Sequence, residues 1–339
     1  MRVPDAVRRR RSRTATVIGL LAVALGVTGC LSVSVGAVPI PMSSVPGALL
    51  GLGEPRHVTL VVDIRLPRAV CGLLVGLAFG MSGAIFQSLV RNELASPDVI
   101  GVTAGASAAA VLMIVVVGAG ALQLSLAALV GGLGTAALVY LLAHQQGISG
   151  YRLILVGIGV AAALSAFTSY LLLRADITDL RRADAWLTGS LNNRDWEQVA
   201  PLALAMVALV PGALVLRRSL RGLQLGDDAA KALGLRVGAA KGAILVVGVA
   251  LAAFATAAAG PVVFVAFVAA PVARRVLGNG DLALLTSGLF GALLVTVADL
   301  VARTAVDGVE MPVGVVTGLI GAPYLVWLLV RTNRSRDLA

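Results

Sequence analysis

The chain has 339 residues, of which 58% are hydrophobic and only 13% charged, and its mean hydropathy is +0.95. Soluble domains carry about 25% charged residues, so this composition excludes a water-exposed globule. A formal charge of +10 would suggest a nucleic-acid partner in a soluble protein, but here the placement of the cations matters more than their sum.

Uncharged runs of bilayer-crossing length, about 20 residues each, recur along the whole chain. The first, Thr14–Gly36, follows the basic stretch Arg8–Arg13 and contains "VTGC" ending at Cys30. That order resembles a lipoprotein signal, yet the apolar stretch runs on through "LSVSVGAVPIP", so a retained helix is expected. Ala69–Val90 is the second span. It ends in a tight polar knot, with Arg91, Asn92, Glu93, Pro97 and Asp98 packed into eight positions before small apolar residues resume. Val99–Ala143 holds 45 uncharged residues, two spans with a turn near "VGAGA". Leu153–Leu173 and Gln198–Leu216 follow. Val237–Ala273 holds two more, divided at Gly260-Pro261, where a helix must break or restart. Leu282–Ala298 and Met311–Val330 bring the count to ten.

The expected organisation is therefore an all-α, polytopic bundle of ten transmembrane helices over residues 14–331. Short basic tails, 1–13 and 332–339, flank it. With the amino end inside, the inner segments hold 19 of the 27 Lys and Arg residues, as the positive-inside rule requires. Both termini are thus expected in the cytoplasm and the protein in a bacterial cytoplasmic membrane. Small residues crowd the spans ("GASAAA", "GGLGTAAL", "FATAAAGP"), which suits close helix packing in lipid.

The span interiors hold no ionisable residue near the midplane. Asp299 comes closest and stands one helical turn from Arg303, a spacing suited to a helix-face pair. Cys30 and Cys71 have neither metal-ligand spacing nor a disulfide framework. There is no phosphate-binding Gly-rich loop, no H-E-x-x-H and no Cys/His cluster, and the only histidines are His57 and His144. No enzyme activity, bound cofactor or metal is expected. An ion-coupled secondary transporter would need a coupling-ion site, and a membrane enzyme a catalytic constellation. If the chain moves a solute actively, the energy arrives from another polypeptide. The longest inner loop, 217–241, contains "GDDAAKALG". Asp227 and Asp228 suit a helix start and Gly234 a helix end, so a short amphipathic helix is expected there.

Several stretches together carry a resemblance: "DIRLPRAVCGLLVGLAFGMSGAIFQSLVRN", "SPDVIGVTAGA", "WLTGSL", "LGDDAAKALGL", "GPVVFVAF", "ADLVAR" and "EMPVGVVTGLIGAPYLVWLL". From about residue 33 to 330 the chain resembles the FecCD/BtuC-type permease subunits of ABC importers for ferric siderophores, haem and vitamin B12, the type II importer fold. It is most similar to the ferric enterobactin subset. The resemblance implies a transport subunit that imports a ferric siderophore (alternatively haem or vitamin B12) while bound partner subunits use ATP. The implied partners are a second permease subunit, identical or related, two ATPases and a periplasmic or lipoprotein solute-binding protein. It also implies roles for residues. Arg65, Arg68 and Arg303 match positions that dock the binding protein. Gly226, Asp227, Asp228, Ala229, Ala230, Leu233 and Gly234 match the helix that couples to the ATPase. Arg91, Asn92, Pro97, Asp98 and Gly101 form the knot, expected to anchor the third span at the water interface. Two positions depart from the family. Glu93 stands in place of the proline of the usual Asn-Pro-Leu, and Pro271-Val272-Ala273-Arg274 lacks the histidine of Pro-His-x-x-Arg.

Overall fold

The computed structural model describes residues 3–36, 38–144, 150–278, 283–306 and 310–336. The extreme ends of both basic tails and Leu282 lie outside them. Helix α1 runs unbroken over Val3–Ser34, through Cys30. After a short helix α2 (Val45–Leu49), α3 (Pro55–Thr59) passes through a π-helical turn, Leu60–Arg65, into α4 (Leu66–Val90). Then come α5 (Val102–Leu112, extended by a π-helical turn to Val117), α6 (Ala121–Ala143) and α7 (Gly150–Arg174). Helix α8 (Ile177–Leu187) leads to α9 (Trp196–Gln224) and the short α10 (Asp227–Ala232). The chain closes with α11 (Val237–Ala259), α12 (Val265–Leu277), α13 (Leu284–Thr304) and α14 (Val313–Arg336). No strand occurs among the described residues.

Seven helices are long and apolar enough to cross a membrane, and two shorter apolar helices, Val102–Val117 and Val313–Leu328, accompany them. The eighth expected span is shorter still. Only Val265–Leu277 is helical, and Gly260–Phe264 ahead of it is not. The break falls at the expected Gly260-Pro261, with Gly260 at φ +76° and Phe264 at φ +66°.

Helix α4 is the axis of the bundle and packs against α13, α11, α12 and α9. Its glycines make this possible. A Cβ on Gly76 would strike the backbone of Gly291, one on Gly80 that of Ser287, and one on Gly83 that of Ala266. Each backbone-to-backbone approach requires the missing side chain. With 1.5 Å of rise per residue, α4 spans about 37 Å and serves as a ruler of depth. Gly83 lies two turns from the Val90 end. The start of α12, which touches it, therefore lies well inside the membrane, and α12 occupies only one half of the thickness.

A second block forms where α5 lies on α6 and α7. Gly105 meets Gly131 and Thr135 there, and Gly157 meets Val99 and Ile100. These contacts correct the expected depth of the knot. Gly101 abuts Thr135 of α6 and Ala161 of α7, two to three turns in from those helix ends. The segment 96–101 dips into the bundle because α5 is too short to reach the surface, and Ala95, Ser96, Pro97 and Ile100 are buried.

Helix α8, in a stretch whose sequence shows only mixed charge, starts where the Asp176 carboxylate accepts from the Asp179 N–H at 2.8 Å. Its Ala183 and Trp186 are buried. Large apolar side chains on α1 (Leu20, Val23, Val27) and α7 (Tyr151, Leu155, Ile158) remain exposed, as expected of surfaces that meet lipid or a second subunit.

Candidate functional site

The 3-10 turn Pro97–Ile100 and the non-helical segment 260–264 face one cavity of about 560 Å³ between α4, α5 and α7. Phe79 of α4, Asp98, then Thr103 and Ser107 of α5 form one side. Ser165, Thr168 and Ser169 of α7 form another, and Leu187 with Pro261–Val263 completes the lining. No backbone partner engages the Val262 or Val263 N–H among the described residues. Such open backbone is tolerated at membrane depth where it is buried in protein or lines a water-filled cavity, and these amides border this one.

Asp98 is the one ionisable residue in that lining. The Thr103 hydroxyl donates to it, and Ser96 Oγ lies 3.5 Å away. No Lys, Arg or His pairs with it among the described residues. An acid without a counter-ion inside a membrane protein is costly except where it faces a water-filled space. Reading the spans alone misses this residue, because the sequence places it in a connection and only the shortness of α5 carries it inward.

At the Leu66 end of α4, the three arginines matched to docking are brought together. All three are largely buried. Arg65 is 7% and Arg68 8% exposed, and the Arg303 side chain 6%. Arg65 and Arg68 use their donors within the chain, whereas Arg303 keeps Nε and Nη2 buried without a hydrogen-bond partner among the described residues. Arg68 donates to Asp299 from Nε at 3.0 Å, and from Nη1 to Glu310 at 2.9 Å and to Asn192 at 3.2 Å. Arg303 stands 3.2 Å from the other Asp299 oxygen and donates to the Ser32 carbonyl. The Asp299–Arg303 helix-face pair is thus present, with Arg68 as a third member. Arg65 donates to the carbonyls of Val33, Ser34 and Val38. The cluster fastens α4 and α13 to the end of α1 and to the 190s loop. Glu310, with its side chain 46% exposed, is its outermost member.

The opposite end of α4 is held differently. Gln87, 2% exposed, donates to the carbonyls of Ala266 and Phe267 and accepts from Arg274. Arg275 lies over Trp327 at 4.8 Å and Tyr324 at 5.9 Å. Arg91 ends α4 in the left-handed region (φ 56°) and donates to the Leu223 carbonyl at 2.5 Å. Asn92 Oδ1 accepts from the Leu94 N–H, closing the turn that holds Glu93 in place of proline. Gly101, at φ +77°, starts α5.

Helix α10 lies where the sequence places the short amphipathic helix, but its start differs. Gly226 holds the cap position at φ +108° and no side chain caps it. Asp227 instead pairs with Lys241 of α11 at 2.6 Å, while Asp228 is fully exposed near Lys231. The end follows expectation. With Gly234 at φ +80°, the Gly234 N–H reaches the Lys231 carbonyl and the Leu235 N–H that of Ala230, a Schellman closure. Ala230 is fully buried and Ala229 exposed, while Leu225 and Leu233 stand 67% and 70% exposed. Two exposed leucines thus flank the acids of α10.

Comparison with known proteins agrees with this architecture. The model of the FecCD transport family matches residues 24–331. The chain belongs to that family. Similar relatives include the ferric enterobactin permease protein FepG of Escherichia coli K12, 43% identical over 97% of this chain and 99% of the relative. The iron(3+)-hydroxamate permease protein FhuG of Bacillus subtilis is 34% identical over 89% and 93%. Among solved structures, an inward-facing ABC transporter of the metal-chelate type superposes with a TM-score of 0.82. It is 28% identical and covers 93% of this chain and 99% of that one.

Proposed function

We propose that this chain is the permease subunit of an ABC importer that carries a ferric siderophore across the cytoplasmic membrane. The observation that carries the reading is the near end-to-end likeness to a ferric enterobactin permease. The molecule itself adds two supports. A cavity lined by hydroxyls and one acid lies along α5 and α7. The short helix α10, flanked by the exposed Leu225 and Leu233, offers a seat for an ATPase.

In this reading two permease subunits, each with its ATPase, enclose the chelate between facing cavities. Both termini and α10 lie in the cytoplasm, and the Arg68 cluster faces a solute-binding protein. Arg65 and Arg303 shape that outer surface from beneath. Carboxylates of the docking partner reach Arg68 past Glu310, the exposed member of the cluster. ATP-driven closure of the ATPases pushes on α10 and alternates access to the cavity. No residue of this chain holds a cofactor or resident metal in this reading, and iron enters only as chelated cargo.

The test is uptake of radioactive ferric chelates by cells that depend on this importer under iron starvation. Catecholate and hydroxamate chelates are supplied singly, with and without ATP depletion. Import of one chelate that stops on ATP depletion supports the proposal. Import sustained by an ion gradient without ATP overturns it.

A further inference from the structure

We propose that Arg91 is a positioning residue that couples the ATPase-facing segment to the wall of the cavity. The inference rests on the reading of α10 as the site where an ATPase pushes. Leu223, whose carbonyl accepts from Arg91, lies in the last turn of α9, just ahead of the Gly226 cap of α10. The same carbonyl accepts from the Gly226 N–H at 3.2 Å, so the Arg91 contact falls on the turn from which α10 hangs.

On its other side, Arg91 opens the knot that runs to Asp98. That connection is not slack. The Asn92 N–H bonds to Gln87, Ala95 to Asn92, Val99 to Ser96 and Gly101 to Asp98, and Ala95, Ser96 and Pro97 are buried. A displacement at Leu223 thus reaches a cavity-lining acid through one compact knot, without crossing a span. A second link from α10, Asp227 to Lys241, leads into the side of α11 instead.

The backbone of Arg91 points the same way. Left-handed φ disfavours any residue with a Cβ, and glycine is the usual occupant at such a helix end. An arginine there places a long, planar donor beside a carbonyl of the neighbouring α9. If only the turn mattered, glycine would serve at least as well.

The deciding experiment compares Arg91→Gln, Arg91→Gly and Arg91→Lys in the complete importer, measuring chelate imported per ATP hydrolysed. Loss of a charge-assisted bond predicts a fall of about tenfold in that ratio for the Gln and Gly variants, with partial recovery in the Lys variant. An unchanged ratio in Arg91→Gly overturns the proposal, as does a parallel loss of import and of assembled complex, which marks a purely structural role. A second measurement uses the permease alone, with spin labels at Leu94→Cys and Asp228→Cys in a Cys30→Ser background. The interspin distance is expected to broaden in Arg91→Gln, and an unaltered distribution counts against the link. If the wild-type importer works without ATP, the functional reading fails while the spin-label result still decides whether Arg91 ties the two segments.

Discussion

The two ends of α4 are fastened by different chemistry. At the Leu66 end, charged side chains hold one another at the centre, with Arg68 and Arg303 sharing Asp299 and Glu310 closing the rim, while Arg65 and Arg303 also take carbonyls at the end of α1. At the Val90 end, side chains hold carbonyl oxygens, Gln87 those of Ala266 and Phe267, and Arg91 that of Leu223. Removing one member of a buried charge cluster strands its partners. A donor on a carbonyl can trade that oxygen for a neighbouring one or for water. The first end is built to keep one arrangement, the second to pass between several.

The sharpest break in this comparison is Asp299→Asn. It removes the shared acid and leaves two buried guanidinium groups, and a loss of about 3–5 kcal/mol is expected, read as a large drop in melting temperature in detergent. Next comes Gly80→Val, midway between the ends. The new side chain meets the Ser287 backbone, and overpacking costs about 1–3 kcal/mol; thermal melting should place it below Asp299→Asn. At the yielding end, Gly234→Ala forces a left-handed alanine at a cost of about 1 kcal/mol. Hydrogen exchange should rise over 227–235 while the rest of the bundle keeps its protection. The smallest effect belongs to Lys231→Ala, whose partner Asp228 is fully exposed. No measurable change in melting is expected, because such pairs contribute little.

Much of the bundle was legible because lipid makes the code simple. Uncharged runs gave the helices, "VGAGA" gave the turn between α5 and α6, and Gly260-Pro261 gave the break before α12. The α10 region was legible through Gly234, whose left-handed φ completes the predicted stop. Depth was not legible. Nothing local in "SPDVIG" says that it descends, since that follows from contacts of Gly101 and Gly157 with helices far along the chain. Exposure of the arginines was hidden for the same reason. Charge count placed Arg65, Arg68 and Arg303 at one end, but Asp299, Glu310 and the carbonyls that absorb them come from distant segments. Helix α8 escaped notice because its apolar contribution is confined to a few residues, of which Ala183 and Trp186 are the buried ones.

Helix α12 carries a consequence for how the protein is made. Thirteen residues reach about 20 Å, too little for a hydrocarbon layer of about 30 Å, and the segment before it leaves the Val262 and Val263 amides without backbone partners among the described residues. Such a piece has no comfortable resting place alone in lipid as it leaves the insertion machinery. It has to be received by Gly83 of α4, already in place, so biogenesis of the carboxy-terminal half is a docking event rather than a sequence of independent insertions.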